Sequence, residues 1–155
     1  MTTMAVASVL DSSLYIPDLK PKRRDSALHE MVARAHQGGF VRDPVLLCET
    51  LGLRERVEAS AIGKGVAIPH ARSLAVIEPR LLVARSRRGI DWGAADGLPV
   101  RLILLALSPS EHSEEIHHEL LARAAAVARL QRNRQKILEA ESFETVAQVL
   151  REAGS

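Results

Sequence analysis

The order of apolar and polar residues predicts two helices in the first third of the chain. Between residues 28 and 35, apolar side chains recur at intervals of three and four, which places them on one face of a helix. The glycine pair at 38–39 would end that helix. A second helix is predicted to begin at Asp43, because an aspartate followed by a proline is typical of a helix N-terminus. Its apolar face includes Cys48, which we expect to be an inert core thiol.

Four segments have the pattern of β-strands. Residues 13–19 alternate between apolar and polar, and their proline suggests an edge strand or a strand end. Residues 65–68, 80–87 and 100–107 are apolar runs. The last run is continuous enough to predict a strand that is buried on both faces.

The last third of the chain is predicted to be helical, over residues 113–131, around 136–140 and over 142–152. Helices therefore precede, separate and follow the strands, and no internal repeat or long linker divides the chain. This order predicts a single domain of the α/β (α+β) class, a layered sheet with helices packed against it. We expect the domain to occupy residues 13–153, after an N-terminal extension of residues 1–12.

Composition narrows the classes of function. The chain has 155 residues, of which 46% are hydrophobic, and this is enough for one folded domain. A net charge of +2 and an aromatic content of 3% argue against nucleic-acid binding, and the short basic blocks at 20–24 and 85–88 are expected to be solvated. The most apolar window, at 98–107, is too short to cross a membrane, and no secretory leader is predicted. A single cysteine can form neither an internal disulfide nor a cysteine-based metal site, so we expect a cytosolic protein.

His70 is the first candidate for chemistry. Gly63 and Gly65 allow a tight turn into the short apolar run at 65–68, and Pro69 then fixes the backbone immediately before the histidine. An imidazole in this position should be held at the rim of a sheet, more firmly than on a flexible loop. Spacing alone also allows a purely structural histidine.

A second group of histidines lies at the start of the long C-terminal helix. His118 lies two residues after Ile116 and two before Leu120, so we predict that it borders the apolar stripe and faces inward, with His117 turned to solvent. The first turns of a helix offer free backbone N–H groups and the positive end of the helix dipole, which favour an anion such as phosphate. The alternative is a helix start that carries acids only because they stabilise it.

Other kinds of site have less support. His70, His112, His117 and His118 offer possible metal ligands, but no His-x3-His or comparable spacing occurs on one helix face. No nucleotide-binding glycine loop and no Gly-x-Ser-x-Gly motif is present, so we expect no cofactor and no metal. What remains is a positioned histidine, a second histidine and Arg54 upstream. These are the parts that a phosphohistidine site needs.

Residues 63–72, with the sequence Gly-Lys-Gly-Val-Ala-Ile-Pro-His-Ala-Arg, resemble the type-2 enzyme IIA domain of the bacterial phosphoenolpyruvate-dependent phosphotransferase system. The resemblance includes Arg54-Glu55 before this element and the segment 89–100 after it, and it extends over about residues 13–153. This is the fructose/mannitol group, which also contains the stand-alone nitrogen-regulatory enzyme IIA. It implies a mixed sheet with helices on both sides.

The resemblance also implies roles for individual residues. His70 falls on the histidine that accepts phosphate from the carrier HPr, His118 on a second histidine near the phosphate, and Arg54 on an arginine beside the active histidine. Ser60 keeps a hydroxyl where the family usually has threonine, whereas Ala61 stands where glycine is frequent.

Pro69 and Arg72 complete the predicted set, as the rigid residue before the active histidine and as a second guanidinium near the phosphate. The implied partners are an HPr-like donor and, downstream, a IIB component or a regulated protein, without nucleic acid and without membrane insertion. A nitrogen-type regulator and a separately encoded sugar-uptake IIA component both remain open. So do a binding module of this fold that has lost phosphotransfer and a metal hydrolase built from the histidines.

Overall fold

The computed structural model describes residues 6–153, which contain five α-helices and six β-strands. The helices are α1 (Arg24–Gln37), α2 (Pro44–Val57), α3 (Glu114–Arg129), α4 (Gln131–Glu139) and α5 (Phe143–Glu152). The strands are β1 (Tyr15–Ile16), β2 (Ala61–Gly63), β3 (Val66–Ala67), β4 (His70–Ser73), β5 (Arg80–Ile90) and β6 (Val100–Pro109). Within the described range, no helix combines the length and the apolar character needed to span a bilayer.

All six strands form one mixed sheet, with β6 near its centre. On one side β5 runs antiparallel to β6, and β1 pairs in parallel with β5. On the other side β3 and β4 both pair in parallel with β6, and β2 pairs antiparallel with β3. The mixed sheet agrees with the fold class expected from the sequence.

The central strand is buried on both faces, as its continuous apolar run predicts. Successive side chains along a strand point to opposite faces. Leu102, Leu104 and Ala106 pack into a core that includes residues of α3, α4 and α5. Ile103 and Leu105 pack into a second core that includes residues of α1 and α2. Helices therefore cover both sides of the sheet, which confirms the predicted architecture.

Strands β3 and β4 lie one after the other along the same edge of β6, separated by a break at residues 68–69. Val66 of β3 pairs with Leu102, and His70 of β4 pairs with Ala106 four residues further along. Pro69 has no N–H to donate, but its carbonyl accepts the N–H of Ala106 at 3.0 Å, so the break stays attached to the sheet. His70 therefore opens a strand, where the sequence suggested a position just after one.

Most predicted elements are present within a few residues of their expected bounds. Asp43 accepts the N–H of Leu46 at 3.0 Å and so caps α2, as predicted. Two strands, β2 and β4, were not predicted, because they have three and four residues and no apolar alternation. Helix α4 begins at residue 131, five residues before the predicted start near 136.

The first described residues of the chain pack against the domain. Val6 and Val9 are buried, and the carbonyl of Val9 accepts the N–H of Leu81 at 3.0 Å. Residues 1–5 of the predicted N-terminal extension lie outside the described residues, and the domain boundary at residue 13 stays a prediction.

Arg85, expected in a solvated block, is instead 9% exposed and donates to the carbonyl of Ala140 at 2.9 Å, just beyond the end of α4.

Candidate active site

His70 projects from β4 towards α3. In the register of β4 with β6, His70 pairs with Ala106 and Arg72 pairs with Ser108. Ala71, between them, lies in the core shared with α1 and α2. Since side chains alternate along a strand, His70 and Arg72 share the opposite face, the one covered by α3. The short strand thus brings two of the predicted site residues to one side of the sheet edge.

The hydrogen bonds of His70 assign a role to each of its ring nitrogens. Nδ1 lies 3.2 Å from the carbonyl oxygen of Ile68, which can only accept, so Nδ1 carries the proton. Nε2 lies 2.7 Å from Nη2 of Arg54. A guanidinium can only donate, so the neutral ring presents the lone pair of Nε2 to Arg54. The ring nitrogen of His70 with a free lone pair is therefore Nε2, and it lies beside a cation.

The environment of His70 keeps its ring neutral. Burial lowers the pKa of His70 from its ordinary value of 6.5; the Ile68 carbonyl opposes this shift, and the charge of Arg54 adds to it. A neutral imidazole at pH 7 is the form that can attack phosphorus.

Arg54 and Glu55 leave the last turn of α2 in different directions. The side chain of Arg54 is exposed and reaches His70, as predicted for a guanidinium beside the active histidine. Glu55 is only 6% exposed and turns towards the interior. Adjacent residues on a helix point about 100° apart, so one turn serves both the site and its support.

Ser60 lies beneath the site, where it connects Glu55 to the strand that leads to His70. The Glu55 carboxylate accepts the N–H of Ser60 at 3.0 Å and also bonds its hydroxyl. Nε1–H of Trp92 donates to the same hydroxyl at 3.2 Å. The carbonyl of Ser60 accepts the N–H of Ile68 at 3.0 Å. Ser60 thus holds the backbone that carries His70.

The structure brings His117, and not His118, to His70. The ring centroids of His117 and His70 lie 5.6 Å apart, and His117 is 6% exposed, whereas His118 is exposed. The buried stripe of α3 continues C-terminally from Leu120 at intervals of four and three. His117 lies three residues before Leu120 and therefore extends the stripe. His118 is turned about 200° around the helix axis from Leu120, so it lies on the opposite side. The prediction that His118 faces inward is wrong. It depends on Ile116, which is partly exposed and does not belong to the buried stripe.

His117 is a buried, neutral imidazole. Burial lowers the pKa of His117 from 6.5 to about 4, and the positive charges of Arg72 and Arg54 act in the same direction. Its Nδ1 forms a hydrogen bond with the hydroxyl of Ser108, which is 0% exposed. At pH 7 His117 can therefore form hydrogen bonds but does not supply a positive charge.

Arg72 fixes the loop that leads into α3. Its Nη2 donates to the carbonyls of Ser110 at 3.2 Å and His112 at 2.8 Å. Its Nη1 lies 3.4 Å from Oε1 of Glu114, at the first residue of the helix. These contacts hold the start of α3 and therefore position His117. A direct part for Arg72 in binding phosphate stays a prediction.

A groove of about 550 Å³ is lined by His70, Arg54 and the buried Pro69. Its lining also includes Val57 and Ile62, which are 89% and 56% exposed. Large apolar side chains that remain exposed around a polar centre are typical of surfaces that contact another protein. The site is therefore open to a macromolecular partner.

Of the four histidines considered as metal ligands, His70 and His117 lie side by side. Within residues 6–153, no group of three or more His, Cys, Asp or Glu side chains is arranged to hold a metal ion. His112 and His118 are both exposed. The site combines an imidazole nitrogen with a free lone pair, a guanidinium and a neutral imidazole, which is an arrangement suited to binding a small anion.

Three supporting residues, Glu55, Ser108 and Trp92, were missed in the sequence. For Glu55 a signal exists, because it continues the four-residue spacing of Leu47 and Leu51 on the buried face of α2. A charged residue on such a face is rarely buried without a specific partner. For Ser108 the signal is that a polar residue occupies a position in the continuous apolar run of β6, a strand that is buried on both faces. Trp92 carries no comparable local pattern.

Known proteins are similar to this chain over nearly its whole length. Residues 8–153 match the family model described as "Phosphoenolpyruvate-dependent sugar phosphotransferase system, EIIA 2". The chain is 31% identical to the "PTS system fructose-specific EIIA component" of Haloferax volcanii, and the match covers 98% of each chain. It is also 31% identical to a "Nitrogen regulatory protein" of Bradyrhizobium diazoefficiens, over 95% of each chain. A 28% identical match to the "PTS system fructose-specific EIIABC component" of Bacillus subtilis covers 95% of this chain but only 23% of that longer protein.

Solved structures share the fold as well. The "Nitrogen Regulatory Protein IIA-Ntr from Neisseria meningitidis" superposes with a TM-score of 0.83 at 26% identity, covering 94% of this chain and 98% of that one. The IIA mannitol structure from Escherichia coli superposes with a TM-score of 0.76 at 16% identity, over 91% and 98%, which is a likeness of fold alone. Given the match of residues 8–153 and the relatives of equal length, the chain belongs to the EIIA type-2 family of the phosphoenolpyruvate-dependent sugar phosphotransferase system.

Proposed function

We propose that this chain, as a phosphotransferase component of the EIIA type-2 family, accepts a phosphoryl group on Nε2 of His70 from the phosphohistidine of an HPr-like protein. The observation that carries the proposal is the pair of hydrogen bonds at His70. Nδ1–H is bound to the Ile68 carbonyl, and the lone pair of Nε2 faces Arg54. The nucleophile is therefore oriented before the donor arrives.

The transfer needs no proton to leave His70. The lone pair of Nε2 attacks phosphorus, the N–P bond of the donor imidazole breaks, and its electron pair returns to the donor ring. The Nδ1 proton stays in its hydrogen bond to the Ile68 carbonyl. Phosphoryl transfer has a loose transition state, so alignment and charge compensation supply most of the catalysis.

Arg54 and His117 would bind the transferred group. The Arg54 guanidinium already lies 2.7 Å from Nε2, and its several N–H groups can bond phosphoryl oxygens. The His117 ring, 5.6 Å from that of His70, is close enough to donate to a group attached there. Because the pKa of His117 is about 4, it acts as a neutral donor, and Arg54 supplies the compensating charge. The part that the resemblance implied for His118 passes to His117.

The donor is proposed to dock on the apolar groove around His70. Leu53, Val57 and Ile62 line it and are all more than half exposed. Burying such side chains favours association without requiring a charged contact. Glu111 and Glu115, exposed at the approach to α3, would complement a basic donor surface and mainly affect the rate of encounter.

For the downstream step we propose a regulated protein as partner. This is supported by the full-length relative named a nitrogen regulatory protein and by the similarity to the IIA-Ntr structure. The alternative is a IIB component, which the fructose-specific EIIA relative favours. The mannitol IIA of Escherichia coli, which shares the fold, is solved as a complex with phosphorylated IIB. Incubation of the phosphorylated chain with a fructose-type IIB distinguishes the two partners. Transfer of the label to IIB would favour a role in sugar uptake, whereas retention of the label on the chain would favour a regulated protein.

The test of the proposal is labelling from phosphoenolpyruvate through enzyme I and HPr. Wild-type chain should become labelled, and His70→Ala should not. His117→Ala should be labelled about 10–100-fold more slowly, since it loses one hydrogen bond to a charged group.

His118→Ala is the matched control for these variants. It removes an exposed histidine from the same turn of α3 and should be labelled at the wild-type rate. Label on His70→Ala would refute the assignment of the acceptor. An unlabelled wild-type chain would favour a binding module of the same fold.

A further inference from the structure

Ser108 is a buried hydroxyl in contact with the proposed site. It is 0% exposed on β6, and its Oγ bonds Nδ1 of His117 on α3. Strand alternation places it on the same face as Leu104 and Ala106, which pack into the core on the α3 side. A serine in this otherwise apolar row leaves a polar group that needs a partner.

The donor in this hydrogen bond follows from what else the hydroxyl contacts. Within residues 6–153 the Ser108 hydroxyl forms no hydrogen bond other than the one to His117. A buried hydroxyl is rarely left without an acceptor for its proton, so Ser108 donates and Nδ1 accepts. A neutral imidazole carries one proton, and in His117 that proton is then on Nε2.

The tautomer of His117 matters because its partner would be an anion. Oxygens of a phosphoryl group can only accept hydrogen bonds. A ring with Nε2–H can donate to them, whereas a ring with a lone pair on Nε2 would repel them. Arg54 and Arg72 disfavour a second proton on His117, so the tautomer, and not a change of charge, determines what Nε2 presents.

We propose that Ser108 is a positioning residue that fixes His117 as the Nε2–H tautomer, so that His117 donates a hydrogen bond to the phosphoryl group on His70. This inference rests on the proposed function. Ser108 lies outside the motif at residues 63–72, and it acts only through His117.

The first test reads the tautomer directly, in the absence of any phosphoryl donor. Two-dimensional ¹H–¹⁵N NMR of the histidine rings should show His117 in the Nε2–H form in wild type. Ser108→Ala should shift it towards a mixture of tautomers, and Ser108→Thr, which keeps the hydroxyl, should retain the wild-type form. Finding His117 as Nδ1–H in wild type, or unchanged in Ser108→Ala, would overturn the proposal.

Ser86→Ala is the matched control. Ser86 is 1% exposed on the neighbouring strand β5, and its hydroxyl accepts the N–H of Gly89 at 3.1 Å, so it is an equally buried serine with a different partner. It should leave the His117 signals unchanged. The same tautomer shift in Ser86→Ala would assign the effect to general loosening of the sheet and overturn the proposal.

The second test measures transfer from phosphorylated HPr. Ser108→Ala should lower the maximal single-turnover rate constant about 2–10-fold, the range expected for one neutral hydrogen bond, with the half-saturating concentration of phosphorylated HPr unchanged and with rescue by Ser108→Thr. An unchanged maximal rate constant would overturn the proposal. If wild type is not phosphorylated at all, the proposed function fails, whereas the NMR result still shows which tautomer Ser108 selects.

Discussion

Burial of His117 should make the fold sensitive to mild acid. The pKa of His117 is about 4 in the folded chain, against an ordinary value of 6.5. Between these two values the unfolded chain binds a proton that the folded chain excludes, so the folded state loses stability as the pH falls. Above about pH 6.5 this group leaves the free energy of unfolding unchanged. Below that value the free energy of unfolding falls progressively until the pH reaches about 4.

The size of the effect follows from the shift. A displacement from 6.5 to about 4 corresponds to about 3 kcal/mol in the free energy of unfolding when it is fully expressed. Between pH 7 and pH 5 the linkage relation gives a loss of about 2 kcal/mol from this one group. A domain of ordinary stability, about 5–15 kcal/mol, would show such a loss clearly.

Urea unfolding at pH 7 and at pH 5 measures the loss for wild type, His117→Gln and His118→Gln. Each protein is compared with itself, so a general loss of stability in a variant cancels. In His117→Gln the acid-induced loss should be smaller than in wild type by about 2 kcal/mol. His118→Gln alters an exposed ring and should lose as much as wild type. Equal losses in wild type and His117→Gln would refute the reasoning.

Three further substitutions test the supporting contacts. Arg54→Gln should slow labelling of His70 by HPr about 10–100-fold in a timed assay, because it removes a charged donor, and a wild-type rate would contradict this. Glu55→Gln should lower the free energy of unfolding in urea by about 1–3 kcal/mol, because the buried side chain loses one of the two acceptor oxygens that bind the partly buried Ser60; an unchanged unfolding curve would count against it. Glu115→Lys should lower the second-order rate constant for labelling by phosphorylated HPr at low salt and much less at about 1 M salt, whereas a salt-independent effect would exclude steering by charge.

The long helices and strands could be predicted from the sequence, because the order of apolar and polar residues within each element indicates its type. The apolar run of β6 is buried on both faces, and Asp43 caps α2 where its side chain and the following proline indicate. Strand β4 has no such signal. Its four residues alternate in burial only because they pair with β6, and that pairing joins positions more than thirty residues apart.

The site itself was predictable in part. His70 and Arg54 follow from the motif, and the structure brings them together. The two apolar residues that flank His118 do not assign the helix face, whereas the full stripe from Leu120 onward assigns it to His117. Glu55 is buried by contacts with a loop that follows it, which the spacing of the helix suggests but does not identify.

The most direct test of the central claim is to locate the phosphoryl group after reaction with phosphorylated HPr. Combined ³¹P and ¹⁵N NMR of the labelled chain should place the new N–P bond on Nε2 of His70, with the Nδ1 proton still bound to the ring. A phosphoryl group on Nδ1 of His70, or on any other histidine, would contradict the account.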